Sequence, residues 1–327
     1  MLSHRSWTYV TLLVIAALLL SACSAATPAP APTTAPEATA APEATQAPEA
    51  TTAPEPTQAE TSPGTAGQSV VARLKAGETL RAGVKVDSPP WGFLDESGQN
   101  AGFDVDLIRA MAEKWGVEVE FIPVSSSTRL EMLAAGQVDM VAASMTHKKD
   151  RDQNVDFTQT YFLDGQALLV KEGSGIQGLE DLGGKTVASV QGSTSIQNIQ
   201  KAIETLGLDT ETLELQTYTD AAQALVDGRA DAVTTDASIL AGLAANNPGL
   251  VIVGKRFSQE PYGMGVPQFD PTWRDLVNFT LQELFADGTY AAIYDKWLGQ
   301  ENGYIKYPAD MFQVEVWPGT NYVTATP

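Results

Sequence analysis

The chain has 327 residues, which at about 150 residues per domain allows two domains or one divided body with a substantial core. Acidic residues number 40 against 20 lysines and arginines, and the resulting formal charge of −20 argues against a nucleic-acid surface or a polybasic membrane patch. One cysteine (Cys23) and two histidines (His4 and His147) rule out an internal disulfide, a CxxC zinc site or a His-pair metal centre, and leave little for Ser-His or Cys-His catalysis. No metal and no cofactor is expected.

Residues 1–22 read as an export signal: Arg5 lies in a short polar start, Trp7 to Leu20 is apolar, and small residues follow. That apolar run is short for a bilayer span, which needs about 20 residues. The ending Leu20-Ser21-Ala22-Cys23 resembles a bacterial lipobox, which implies diacylation of Cys23 and cleavage before it. Several acyl chains would give the anchoring that one chain cannot. Then Ala-Pro-Glu-Ala-Thr occurs three times, starting at Ala35, Ala41 and Ala47. Such a composition has no apolar bulk to bury, so residues 23–77 are expected to be the lipidated cysteine and an extended, polyproline-biased tether.

From about Thr79, strands alternate with helices, the mark of an α/β architecture. Leu80 to Lys85 reads as a strand. Asp104 reads as the cap of a helix with apolar face Leu107, Ile108, Met111 and Trp115, ended by Gly116, and Val117 to Phe121 alternates as the next strand. A short helix from about Arg129 and a strand Val138 to Ala143 follow. The order then recurs: strand Thr186 to Val190, helix Thr194 to Leu206, strand Leu213 to Thr217, helix Asp220 to Val226, strand Asp231 to Thr234. Leu133-x-x-Gly136-x-x-Asp139-x-Val141 matches Leu225-x-x-Gly228-x-x-Asp231-x-Val233, so two similar lobes are expected. Punctuation shared by α/β proteins in general is the plainer reading of that match.

Ligands of open α/β sheets gather beyond the carboxyl ends of strands, and facing lobes would share one crevice. After Val141 come Ser144, Met145, Thr146 and Arg151; after Val233 comes Asp236. Lys85 ends the first strand, and Gln191-Gly192-Ser193-Thr194 ends its counterpart at a helix start, where free amides attract an anion.

Together, Gly83-Val84-Lys85 with Pro89-Pro90-Trp91, Gly102 to Leu107, Met145-Thr146 before Arg151, Val155-Asp156-Phe157, Gln191 to Thr194, Thr235-Asp236 and Ile293 to Trp297 resemble the amino-acid-binding extracytoplasmic receptors of ABC importers (solute-binding family 3) over about Leu80 to Gly299. The resemblance implies a type II two-lobed periplasmic-binding-protein-like fold with a two-strand hinge. Residues 78–166 and 262–299 would form the first lobe and 167–261 the second, with 300–327 as a C-terminal extension and the chain crossing near Gln166 to Val170 and Pro261 to Val266. It also implies Arg151 as the fork for an α-carboxylate, Asp236 as the ammonium acceptor, a hydroxyl and amide from Thr146, a carbonyl from Ser144 beside Met145, and amides from Ser193 and Thr194. These roles fit the need of a buried zwitterion for a partner at each pole. Asp236 could equally cap the helix that follows it, and Arg151 could be a solvated member of a charged run.

Side-chain preference rests on fewer positions. Lys85 and Arg129 in Thr128-Arg129-Leu130 would supply two cations, favouring glutamate or aspartate, with glutamine or broad polar specificity open; Trp91 would pack on the ligand's methylenes. Snorkelling for Lys85, first-turn exposure for Arg129 and a core position for Trp91 are the plainer alternatives. The expected protein is a monomeric, non-enzymatic lipoprotein outside the cytoplasmic membrane, delivering its ligand to a permease and its ATPase. A sensory role and a dehydratase-like enzyme on the same fold are the rivals.

Overall fold

The computed structural model describes residues 68–299. The signal peptide, Cys23, the repeats and the C-terminal extension lie outside the described residues. The first elements are helix α1 (Val70–Lys75), strands β1 (Leu80–Val84), β2 (Asp87–Ser88), β3 (Gly92–Leu94) and β4 (Asn100–Ala101), helix α2 (Phe103–Trp115), β5 (Val119–Pro123), α3 (Arg129–Ala134), β6 (Met140–Ala142) and β7 (Asp156–Phe157). Then come β8 (Phe162–Asp164), β9 (Gln166–Lys171), β10 (Thr186–Val190), α4 (Thr194–Leu206), β11 (Glu211–Leu215), α5 (Tyr218–Asp227), β12 (Ala232–Asp236), α6 (Ala237–Asn246) and β13 (Leu250–Val253). The chain returns through β14 (Glu260–Tyr262) and β15 (Gly265–Val266) to α7 (Pro271–Ala286) and α8 (Thr289–Leu298).

Two five-stranded sheets repeat one plan: β5-β1-β6-β15-β7 in the first lobe and β11-β10-β12-β9-β13 in the second. In each, the second strand in that order, β1 or β10, is parallel to both neighbours, and the fourth strand joins antiparallel. The matched phrases do the same work in both lobes. Gly136 and Gly228 sit at φ 70° and 77°, the left-handed turn that ends a helix without a Cβ clash. Asp139 then accepts from the Arg81 amide at 2.9 Å, and Asp231 from the Thr186 amide at 2.9 Å, fastening the equivalent strands β1 and β10.

The lobes are joined by the antiparallel pair β8 and β14. The crossing therefore lies a few residues before the expected one: Gln166 opens β9, an interior strand of the second sheet. Two other expectations change. Part of the expected tether is folded, because Val70 and Leu74 are buried on the first lobe and Asp270 accepts from Ser69 Oγ and the Val70 amide, both at 2.8 Å. Asp104 does not cap α2. Gly102 holds the cap position, and the Asp104 carboxylate instead accepts from the Ser144 amide at 2.7 Å and the Tyr161 hydroxyl at 2.6 Å.

Candidate ligand-binding site

The carboxyl ends of β1, β6, β10 and β12 meet between the lobes, and the segments leaving them are buried against each other. Gly192 approaches Ser126 and Ser127 so closely that a Cβ there would lie 2.8 Å from the Ser126 carbonyl oxygen. Gly242 of α6 likewise faces Pro89, and the cleft is closed by Trp91 Nε1 donating to Ser238 Oγ at 2.6 Å and the Tyr218 amide donating to Asp87 Oδ2 at 3.1 Å.

Arg151 is buried, donating to the Thr146 carbonyl at 2.7 Å and across the cleft to that of Gly192 at 3.4 Å. Burial, then the charge of Arg129, lowers its pKa to about 10. Arg129 is also buried; its Nη1 donates to the Ala143 carbonyl at 2.6 Å, while Nε has no partner among the described residues. Neither guanidinium forms an ion pair among the described residues, a costly arrangement for two neighbouring cations unless an anion is meant to join them.

Asp236 enters from the second lobe. It stands at the N-cap position of α6 but makes no side-chain bond to that helix; Asp164 takes that part, accepting from the Ser238 amide at 3.2 Å. The Asp236 carboxylate accepts from the Tyr262 hydroxyl through Oδ2, and Oδ1 has no partner among the described residues. Burial raises its pKa well above the carboxylate range, with the charges of Glu260 and Asp164 adding to the effect. A cation brought beside it would reverse that shift.

Other expected contacts change. Ser193 Oγ and amide both donate to the Val190 carbonyl, at 2.6 and 3.2 Å, so the Ser193 amide is spent locally. Thr194, at the first position of α4, retains a first-turn amide that helix geometry leaves without an intrahelical acceptor. Met145 packs its side chain in the core against Leu133, Val141 and Gly265 and contributes no polar group from it. Ser144 holds φ 43°, its amide fixed by Asp104. Trp91 lies edge-on to Phe103, Phe162 and Tyr262 at 4.7–5.1 Å, in an aromatic cluster of its own lobe and the hinge. The Lys85 ammonium is paired with Asp87 at 2.8 Å and lies 5.2 Å over the Tyr218 ring, so its charge is matched within the chain.

Sequence reasoning missed Tyr218, Tyr262 and Glu260, and took Asp87 for a loop charge instead of the partner of Lys85. For Asp87 a signal existed: extended backbone puts residues 85 and 87 on the same side. His147 stacks on Phe157 and contacts Asp152 at 2.9 Å, with its side chain 35% exposed.

Bacterial extracellular solute-binding proteins, family 3, match residues 80–300. The chain is 38% identical over 239 residues to the ABC transporter glutamine-binding protein of Bacillus subtilis, covering 72% of this chain and 86% of that one. It is 33% identical over 251 residues to a glutamate-binding protein of Corynebacterium efficiens, covering 72% and 84%. An ancestral arginine-binding protein, solved bound to glutamine and bound to arginine, is 42% identical with a TM-score of 0.64, over 68% of this chain and 98% of the other. On sequence, fold and the closed two-lobed cleft alike, this chain belongs to the bacterial extracellular solute-binding proteins, family 3.

Proposed function

We propose that this protein captures a polar amino acid, glutamine in preference to glutamate, and passes it to the permease and ATPase of an ABC importer. The observation that carries the reading is the pairing of Arg151, buried on one side of the cleft with two of its five N–H groups donating to backbone carbonyls, with Asp236, buried on the other, whose Oδ1 has no partner among the described residues. Arg151 takes the α-carboxylate with the Thr194 amide, and Asp236 takes the ammonium. Charge-assisted bonds of about 1.5–3 kcal/mol each are sufficient for micromolar affinity, about −8 kcal/mol.

The preference for a neutral side chain departs from the acidic one expected from sequence. That expectation needed two uncompensated cations, and Lys85 is ion-paired with Asp87. The pair offers one donor and one acceptor, the complement of a carboxamide, and the glutamine-binding relatives support the choice. A ligand bridging the lobes binds the closed form more tightly, and only that difference shifts the open and closed populations. Non-enzymatic action, a monomeric state and a Cys23 lipid anchor on the outer face of the cytoplasmic membrane complete the proposal.

Isothermal titration of ligand-stripped protein with the twenty common amino acids tests it. L-Glutamine should bind most tightly, and Arg151→Ala should lose about 3–5 kcal/mol for every ligand by leaving its carboxylate buried without a partner. Unchanged binding by Arg151→Ala refutes the site, and tighter binding of glutamate than glutamine refutes the preference.

A further inference from the structure

Glu260 lies on hinge strand β14, is 1% exposed, and has four donors on its two oxygens. Oε2 accepts from Thr146 Oγ1 at 2.6 Å and from Thr194 Oγ1 at 2.9 Å; Oε1 accepts from Ser258 Oγ at 2.7 Å and from Asn198 Nδ2 at 2.8 Å. Thr146 follows β6 in the first lobe, whereas Thr194 and Asn198 belong to α4 in the second. One carboxylate on the hinge thus holds both walls of the cleft.

A threonine hydroxyl has a single proton and two lone pairs. With that proton on Glu260, Thr146 Oγ1 can only accept from anything else. The Thr194 hydroxyl also accepts from Gln166 Nε2 at 3.2 Å, which leaves Thr194 little to offer the cleft beyond its amide. Thr146 is held a second time, at its carbonyl, by Arg151.

We propose that Glu260 is a positioning residue that commits the Thr146 hydroxyl proton, so that Thr146 Oγ1 presents lone pairs to the ligand's ammonium while α4 is held against the same anchor. This rests on the amino-acid reading above. It assigns the donor and acceptor polarity of the cleft to a residue that does not touch the ligand.

The test is a double-mutant cycle of Glu260→Gln and Thr146→Val, with L-glutamine and L-glutamate affinity read by calorimetry and thermal unfolding as the folding control. Each single change should weaken binding about 10- to 100-fold. The double variant should bind within about threefold of the weaker single, because both remove one acceptor. Thr146→Ser, which keeps the proton on Glu260, should stay within about threefold of the unaltered protein. Losses that multiply in the double variant, or a Glu260→Gln protein that binds normally, overturn the inference. Should Glu260→Gln fail to fold, the serine and valine variants decide: equal affinity in the two overturns it, and loss in valine alone upholds it. An unaltered protein that binds neither amino acid fails at the earlier step and takes this inference with it.

Discussion

Replacing Gly242 with alanine should separate closure from folding. A Cβ at Gly242 would lie 2.0 Å from the carbonyl oxygen of Pro89, across the cleft. Ordinary contact needs about 3.4 Å, so α6 and the Pro89 segment must part by about 1.4 Å at that point. The Trp91 to Ser238 bond, 2.6 Å long beside this contact, would stretch to about 4 Å and be lost, and the Tyr218 amide bond to Asp87 would weaken. One buried and one part-buried hydrogen bond at about 0.5–1.5 kcal/mol each amount to about 1–3 kcal/mol against the closed form, or about 5- to 150-fold in affinity. Within α6 itself, alanine is the better helix former by about 1 kcal/mol. The two effects have opposite signs. Calorimetry with L-glutamine should show the loss, while ligand-stripped protein unfolds at the same temperature or higher. Unchanged affinity would show that the lobes do not need this approach to hold a ligand, and the closure argument would be wrong.

Asp87→Asn frees the Lys85 ammonium from its partner, and the ratio of glutamate to glutamine affinity should rise about tenfold in competition titrations. Burial raises the Asp104 pKa to about 7 from 3.8, despite the Tyr161 and Ser144 bonds and the charge of Arg129, so the folded form holds its proton more tightly than the unfolded chain. Its contribution to stability is complete below about pH 4 and is lost as pH rises through 7, on the order of 4 kcal/mol; urea unfolding of the ligand-stripped protein should show the decline, and Asp104→Asn should flatten it. Asp270→Ala removes acceptors from the Ser69 hydroxyl and from first-turn amides of two helices, at Val70 and Trp273, and should cost about 1–2 kcal/mol in chemical denaturation with ligand affinity unaltered.

The alternation of strands and helices was legible because its punctuation is local. Gly116, Gly207 and Gly228 end their helices in the left-handed conformation, and apolar periodicity marks what precedes them. The paired phrases around Asp139 and Asp231 were legible for the same reason. Asp104 misled because a carboxylate near a helix start usually serves that helix, whereas here its partner is Ser144, 40 residues on. α1 has only six residues, and its fastening to Asp270 spans 200 positions, so composition alone placed it in the tether. The site divides similarly. Arg151 and Asp236 stand in recognisable local settings, while the importance of Glu260 depends on donors at positions 146, 194 and 198, which no short window of sequence contains.

Trp91 gives the molecule an optical reporter of its own. Its indole N–H spans the two lobes to Ser238, whereas Trp115 donates to Thr280 and Trp273 to the Asp139 carbonyl, both within the first lobe. Separation of the lobes would wet Trp91 and leave the surroundings of the other two, half-buried Trp115 and buried Trp273, as they are. Intrinsic emission, followed in a stopped-flow instrument without any attached dye, would then time each swing of the hinge.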